Sequence, residues 1–381
     1  ALRRAVAGAA LLGLVLAAAG PANATGFRTF SLSTAGMGLA NAMGADAEHT
    51  SSMAYNPSAL AFQEGLNLEA GAMRLGQFGT NEKLERGSRT TRASRDLYLH
   101  NAFATYRAPA WDLGTGLSVT RPFRMDSDWS NRFSEAGAAT RTLLDLVKVS
   151  PTLAYRLRPD LAVAVGGDYY NAYDFEYSSV ASGGGEIVRQ GDGDAWGGTA
   201  GIMFWREGWS VAATYTSGAE LELSGKNLDE QAFRLPGLAR VGLKMRPSLG
   251  WSIHLGAVRT DWSRYEGLEG VDSGKDWSAT VGYRLGAMLR LSDRARLRFG
   301  YSYDEDPKDE ATFDPRSPSG TRHMLTLGGG WDGDILRYNL AYGYAFHRPH
   351  DVSGAAVGAY DGRIRSSGSY LLFSLGYSSG R

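Results

Sequence analysis

Apolar and polar residues alternate with a period of two along most of this chain. Between 336 and 346, Leu336, Tyr338, Leu340, Tyr342, Tyr344 and Phe346 share one face, and Arg337, Asn339, Ala341, Gly343 and Ala345 share the other. The pattern returns at 296–303, with Leu297, Phe299, Tyr301 and Tyr303 opposite Arg296, Arg298, Gly300 and Ser302. It returns again at 240–246, with Val241, Leu243 and Met245 opposite Arg240, Lys244 and Arg246. A repeat of two is that of a β-strand. The runs extend over about 10–13 residues, longer than the ~5–6 common in soluble sheets and near what a tilted strand needs to cross the hydrocarbon of a bilayer.

The pattern predicts fourteen strands, near 66–77, 97–107, 111–121, 145–157, 160–173, 195–206, 208–219, 237–247, 249–261, 277–291, 295–304, 321–332, 335–347 and 367–378. Short turns such as Arg158-Pro159 and Gly333-Asp334 alternate with long polar loops near 78–96, 122–144, 174–194, 220–236, 262–276, 305–320 and 348–366. Short-then-long connections and an even strand count are the habit of outer-membrane barrels. The expected fold is therefore all-β, a 14-stranded antiparallel transmembrane β-barrel. Trp111, Trp205, Trp209, Trp251 and Trp331 beside the short turns read as an interfacial girdle.

The ends of the chain differ from this pattern. Arg3 and Arg4, an apolar stretch from Ala5 to Ala19 and the small-residue site Ala22-Asn23-Ala24 read as a signal peptide over 1–24. Residues 25–65 are small and weakly polar and do not alternate. Such a segment suits the lumen of a medium barrel as a plug, since fourteen strands enclose more space than wall side chains fill. The barrel itself would occupy 66–381.

Composition sharpens this picture at a few points. Of 381 residues, 50 are glycine and none is cysteine, so disulfides and thiolate-held metals are excluded. Lys plus Arg and Asp plus Glu are both 40, which leaves no electrostatic footprint for nucleic acid. The mean hydropathy of −0.27 resembles that of a soluble protein. Alternation explains it, because a barrel averages an apolar wall with a polar lumen and polar loops.

The order of several motifs resembles the FadL family of outer-membrane long-chain fatty acid transporters, which includes TodX-type relatives that import aromatic hydrocarbons. Gly26-Phe27, Phe30, the Ser/Gly-rich stretch, Gly44-Ala45 and Asn56-Pro57 look like that family's N-terminal hatch. Arg121-Pro122-Phe123 before Asp128-Trp129, Leu235-Pro236 before Val241-Gly242-Leu243, Asp261-Trp262-Ser263, and Arg298-Phe299-Gly300-Tyr301 leading to Asp304, Pro307, Pro315 and Pro318 are similar to its later strands. Ser58 stands where the family commonly has alanine after Asn-Pro, and four residues follow the terminal aromatic, Tyr377.

The resemblance implies passive uptake of a hydrophobic compound by capture at the loops, a lumenal pocket, plug movement and lateral exit through the wall at an irregular third strand. Long-chain fatty acids are the expected cargo. Aromatic hydrocarbons, or a general porin passing small hydrophilic solutes, are the alternatives. It also implies a head group near basic residues, for which Arg240, Lys244, Arg296, Arg298 and Arg337 are candidates, since a lipid-facing cation would cost about 2–4 kcal/mol at the midplane. As wall charges these cations would instead pair with Asp168, Glu69 and plug carbonyls. Phe27 and Phe30 are the candidate apolar contacts, Asn56, Pro57 and Ser58 the plug motif, and Gly114, Gly116 and Pro122 the candidate lateral gate. No enzyme motif has its required context, and no cofactor or metal is expected. The acidic run from Asp304 reads as a solvated loop. Expected partners are outer-membrane lipid and lipopolysaccharide and the barrel assembly machinery, with a monomer as the working unit in the bacterial outer membrane.

Overall fold

The computed structural model describes residues 26–82, 89–93, 97–129, 134–265, 267, 277–308, 320–354 and 357–379. The signal-peptide expectation, together with Pro315 and Pro318, lies outside them.

The wall is a closed ring of fourteen antiparallel strands: β1 (Gly65–Glu82), β2 (Leu97–Arg107), β3 (Leu113–Thr120 and Arg124–Asp128), β4 (Ala139–Arg158), β5 (Leu161–Val180), β6 (Glu186–Arg206), β7 (Trp209–Thr216 and Ala219–Lys226), β8 (Leu228–Leu235 and Gly237–Ser248), β9 (Trp251–Asp261), β10 (Thr280–Arg290), β11 (Ala295–Asp304), β12 (Arg322–Asp332), β13 (Leu336–His347) and β14 (Gly362–Ser378). Each strand pairs with its sequence neighbours, and β14 returns to β1 in register from Asn67↔Ser378 to Glu82↔Arg363, which removes both free edges. Short ribbons at Arg89–Ala93 and His350–Val352 extend β1 and β14 beyond the ring.

Alternation is realised as the pattern predicts. Leu325, Leu327, Leu340, Tyr342, Leu371 and Phe373 lie bare on the outside, whereas Met324, Thr326, Asn339, Ala341, Leu372 and Ser374 are buried inside. An outer surface this apolar has a matching solvent only in hydrocarbon. Trp111, Trp209, Trp251 and Trp331 are exposed beside the short turns, but Trp205 turns toward the lumen and packs on Phe62 at 5.7 Å.

Several strands run beyond the predicted ends. β5 and β6 reach 20 and 21 residues and meet in a hairpin inside the stretch read as a loop, and 219–235 forms a second hairpin between β7 and β8. There the polarity inverts: Leu221, Leu223, Leu228 and Phe233 point inward, and Glu220 and Glu222 point outward. Above the hydrocarbon the outside of the wall is water, so the apolar face turns to the interior.

Residues 26–63 run inside the ring. A short helix, Thr34–Gly38, is capped by the Ser33 hydroxyl, which accepts from the Gly36 amide at 3.0 Å, and two 3₁₀ helices follow, Thr50–Ala54 and Pro57–Phe62. Their residues are almost wholly buried. They touch inward groups on nearly every strand, from Glu69 of β1, which accepts from the Ser51 amide at 3.2 Å, to Thr105 of β2, Ser210 of β7 and Thr326 of β12. The fit depends on missing side chains in the wall. A Cβ on Gly300 would stand 2.5 Å from the Ala40 nitrogen, and one on Gly242 would stand 2.7 Å from the Ala45 nitrogen.

Candidate functional site

The inward basic residues fall into two groups. At the end of the short turns they meet acids of the N-terminal segment. Lys244 donates to Asp46 at 2.6 Å and to Glu48 at 2.5 Å, Arg246 also pairs with Glu48, and Arg337 reaches the Glu48 carbonyl at 3.4 Å. Arg296 pairs with Asp332, which Arg337 also approaches at 3.5 Å. Arg298, buried to 1% exposure, donates to His49 Nε2 at 2.9 Å, while His49 Nδ1 lies 2.7 Å from Asp46. A guanidinium facing one ring nitrogen leaves it as an acceptor, so the imidazole is neutral and its proton sits on Nδ1 toward Asp46. Burial pushes the His49 pKa down accordingly. Burial alone would raise the Asp46 pKa, but Lys244 and then His49 outweigh it and hold the carboxyl well below its usual range. Four of the five candidate cations, Lys244, Arg296, Arg298 and Arg337, thus have protein partners, mostly acids other than the expected Asp168 and Glu69.

The second group lies toward the long loops. Asp304, 1% exposed, accepts from Arg28 at 3.1 Å and Arg322 at 3.3 Å, and it pairs with Arg284 as well. The acidic run was expected in a solvated loop; instead Asp304, Glu305 and Asp306 are all buried, because buried guanidinium groups and backbone amides surround them. Asp309 and Glu310 lie outside the described residues. Phe30 sits beneath this cluster, 5.0 Å from the Arg322 guanidinium and 6.0 Å from that of Arg284, with Tyr370 beside it at 5.8 Å. Arg240, the fifth candidate, has no carboxylate partner among the described residues. Its one hydrogen bond to a described residue is a long one, 3.4 Å to the Thr216 hydroxyl.

A cavity of about 40 Å³ opens among these groups, lined by Arg28, Phe30, Arg240 and Arg284 on one side and Leu32, Pro122 and Leu238 on another. Beside it lies an aromatic nest. Phe27 is 3% exposed, and its ring meets Trp262 at 4.8 Å, Tyr265 at 5.3 Å, Phe233 at 5.6 Å and Phe123 at 5.9 Å. Phe27 is the one contribution of the N-terminal segment to this wall-built cluster.

The third strand is interrupted here. β2 pairs with β3 only from Ala102↔Val119 to Tyr106↔Thr115, and Arg121, Pro122 and Phe123 leave the ladder. Three residues of the N-terminal segment fill the break. The Thr29 amide donates to the Pro122 carbonyl at 2.9 Å, the Arg124 amide donates to the Phe27 carbonyl at 3.0 Å, and Arg28 bridges Phe123. Of the three gate candidates, Pro122 lies at this break. Gly114 and Gly116 lie in the intact ladder below it, where Leu60 of the second 3₁₀ helix fills the space a Cβ would take, 2.5 Å from each. Asn56 caps that helix, its side-chain oxygen accepting from the Ser58 amide at 3.0 Å, and Pro57 opens it; both, with Ser58, press on Gly201 of β6.

Sequence reasoning did not select Arg28, Arg322 or Asp304 as site residues. Arg28 stands in a segment without periodicity, and Arg322 and Asp304 stand at strand ends, where alternation loses its force.

The profile of a family described as "Outer membrane protein transport protein (OMPP1/FadL/TodX)" matches residues 15–378. No curated protein matches the sequence. Among solved structures, a Pseudomonas aeruginosa FadL homologue superposes with a TM-score of 0.77 at 18% identity, over 93% of this chain and 100% of that one. The Pseudomonas putida toluene transporter TodX gives 0.69 at 15%, over 87% and 94%. The Ralstonia pickettii toluene transporter TbuX gives 0.63 at 13%, over 89% and 97%.

Proposed function

Because the chain belongs to the outer-membrane protein transport family (OMPP1/FadL/TodX), whose members carry hydrophobic compounds, we propose that its cargo is an anionic amphiphile, a long-chain fatty acid, taken up passively. The observation that carries this reading is the charge of the loop-end cavity. Arg28, Arg284 and Arg322 already share the buried carboxylate of Asp304, and Arg240, which lines the cavity with Arg28 and Arg284, has no carboxylate partner among the described residues. Buried charge without a partner is costly. A cargo carboxylate supplies the missing anion through charge-assisted hydrogen bonds; toluene supplies none.

Residues 26–63 then act as a plug, and cargo opens it. An alkyl chain entering the aromatic nest competes with Phe27, and loss of Phe27 removes the neighbouring contacts of Arg28 and Thr29 that fill the break in β3. The chain leaves sideways through that break. Each buried CH₂ is worth about 0.8 kcal/mol against water, so an exit into the bilayer avoids a cost that a water-filled pore imposes.

Binding of palmitate and of toluene to the purified full-length barrel tests this by calorimetry. Palmitate should bind, and Arg240→Gln should weaken it by about 10- to 100-fold, the worth of a hydrogen bond to a charged group. Toluene binding that exceeds palmitate binding and ignores Arg240 would overturn the fatty-acid reading in favour of a hydrocarbon channel.

A further inference from the structure

A second cavity, of about 30 Å³, adjoins the first and shares Leu32, Pro122, Leu238 and Arg240 with it. Its character is different. Hydroxyls line it: Ser118 and Thr120 of β3, Ser150 of β4, Thr199 of β6, and Thr214 and Thr216 of β7. At its floor Asp168, fully buried, accepts from Lys148 at 2.9 Å, from Ser150 at 2.6 Å and from Thr199 at 2.5 Å. The one Thr199 proton being on Asp168, Thr216 donates to the Thr199 oxygen at 3.1 Å, and Thr216 in turn accepts from Arg240. A hydrogen-bonded chain therefore runs from Asp168 to the cation that both cavities share.

The Asp168–Lys148 pair is locally neutral, so this pocket does not ask for a second charge. Ser118, Thr120 and Thr214 are each more than nine-tenths buried, and their hydroxyls make no hydrogen bond with any described residue. A plain alkyl chain leaving a carboxylate on Arg240 would strand those hydroxyls if it crossed this space. A volume of 30 Å³ admits one small polar group, since a water needs roughly 10–15 Å³ of such space. The chain itself has another route, because Phe123 lines this cavity and also belongs to the aromatic nest.

We infer that the site selects long-chain acids bearing a hydroxyl close to the carboxylate, a 3-hydroxy fatty acid being the fitting class: carboxylate on Arg240 and Arg28, hydroxyl among Thr199, Thr214 and Thr216, alkyl chain in the place of Phe27. This rests on the fatty-acid reading and narrows it.

The test titrates the full-length protein in lipid nanodiscs with 3-hydroxyhexadecanoate and with hexadecanoate, following tryptophan fluorescence, since Trp262 and Trp277 stand in the nest. The hydroxy acid should bind about tenfold tighter, the worth of one hydrogen bond in a buried site. Thr216→Val should bring the two acids to the same affinity. Thr214→Val, which removes no hydrogen bond within the protein and so spares folding, should narrow the gap as well. Equal binding of the two acids by the native protein, or a preference unmoved in both variants, would overturn the hydroxyl selectivity while leaving the fatty-acid reading intact. Binding of neither acid would overturn both.

Discussion

The two halves of the lumen use the same residue type in opposite ways. At the short-turn end, inward cations meet partners on the N-terminal segment and the wall: Lys244 has Asp46 and Glu48, Arg337 has the Glu48 carbonyl and Asp332, and Arg298 has His49. At the loop end, Arg28, Arg284 and Arg322 share Asp304, and Arg240 has, among the described residues, only a threonine hydroxyl. A basic residue facing a barrel interior therefore does not announce its purpose. On the proposed function, what distinguishes a holding cation from a receiving one is the local count of partners, and that count is settled by which stretch of the N-terminal segment lies opposite.

Lys244→Met is the severest way to break this comparison. It leaves Asp46 buried without its main counter-charge, a change worth about 3–5 kcal/mol. The N-terminal segment should loosen at the short-turn end, seen as protease cleavage within 40–63 and, if it plugs the lumen as proposed, a higher conductance in planar bilayers, while cargo affinity holds. An unchanged cleavage pattern would mean that the paired half does not hold the N-terminal segment.

Phe27→Ala probes the other half. Deleting a buried phenyl ring normally costs about 3–5 kcal/mol. If the nest is a receiving site, part of that should return as tighter cargo binding, about tenfold. Loss of stability with no gain in affinity would make the nest ordinary core.

Acid provides the gentlest test. His49 is neutral in the folded protein with its pKa lowered by burial, so below its ordinary value of 6.5 the unfolded chain takes up a proton that the folded one does not. Stability is complete above that value and falls as pH drops through it, by at most about 1.4 kcal/mol per unit. Asp46, held low, adds a second loss below 3.8. Protease access to residues 26–63 should rise between pH 6.5 and 5 in the native protein and much less in His49→Gln.

Much of the wall was legible in the sequence, because a lipid-facing surface obliges every second residue to be apolar. Leu336 to Phe346 and Leu371 to Tyr377 show it plainly. Legibility fails where that obligation ends. Leu221, Leu223, Leu228 and Phe233 are apolar on the inner side of strands standing in water, so the pattern over 220–236 reads as loop. The site suffered similarly. Arg240, Phe27 and Pro122 were selected from alternation and resemblance, and all three border the loop-end cavity or its nest. The partner count that separates Arg240 from Lys244 depends on contacts nearly 200 residues apart in sequence, such as Lys244 with Glu48 and Asp46, which no local pattern encodes.

The seam between β1 and β14 bears on the order of assembly. The wall closes by joining its first strand to its last, and Gly65, with φ of +71°, turns the chain from the interior into β1. The acids at Asp46 and Glu48 are synthesised early, yet their partners on β8 and β13 come far later. Until then these carboxylates keep their water, and the segment is expected to gain its full order as the ring is completed around it. A chain truncated before β14 should accordingly leave 26–63 open to protease even where the earlier hairpins have formed. That outcome would mean that maturation runs from the shell to its contents, with the interior settling last.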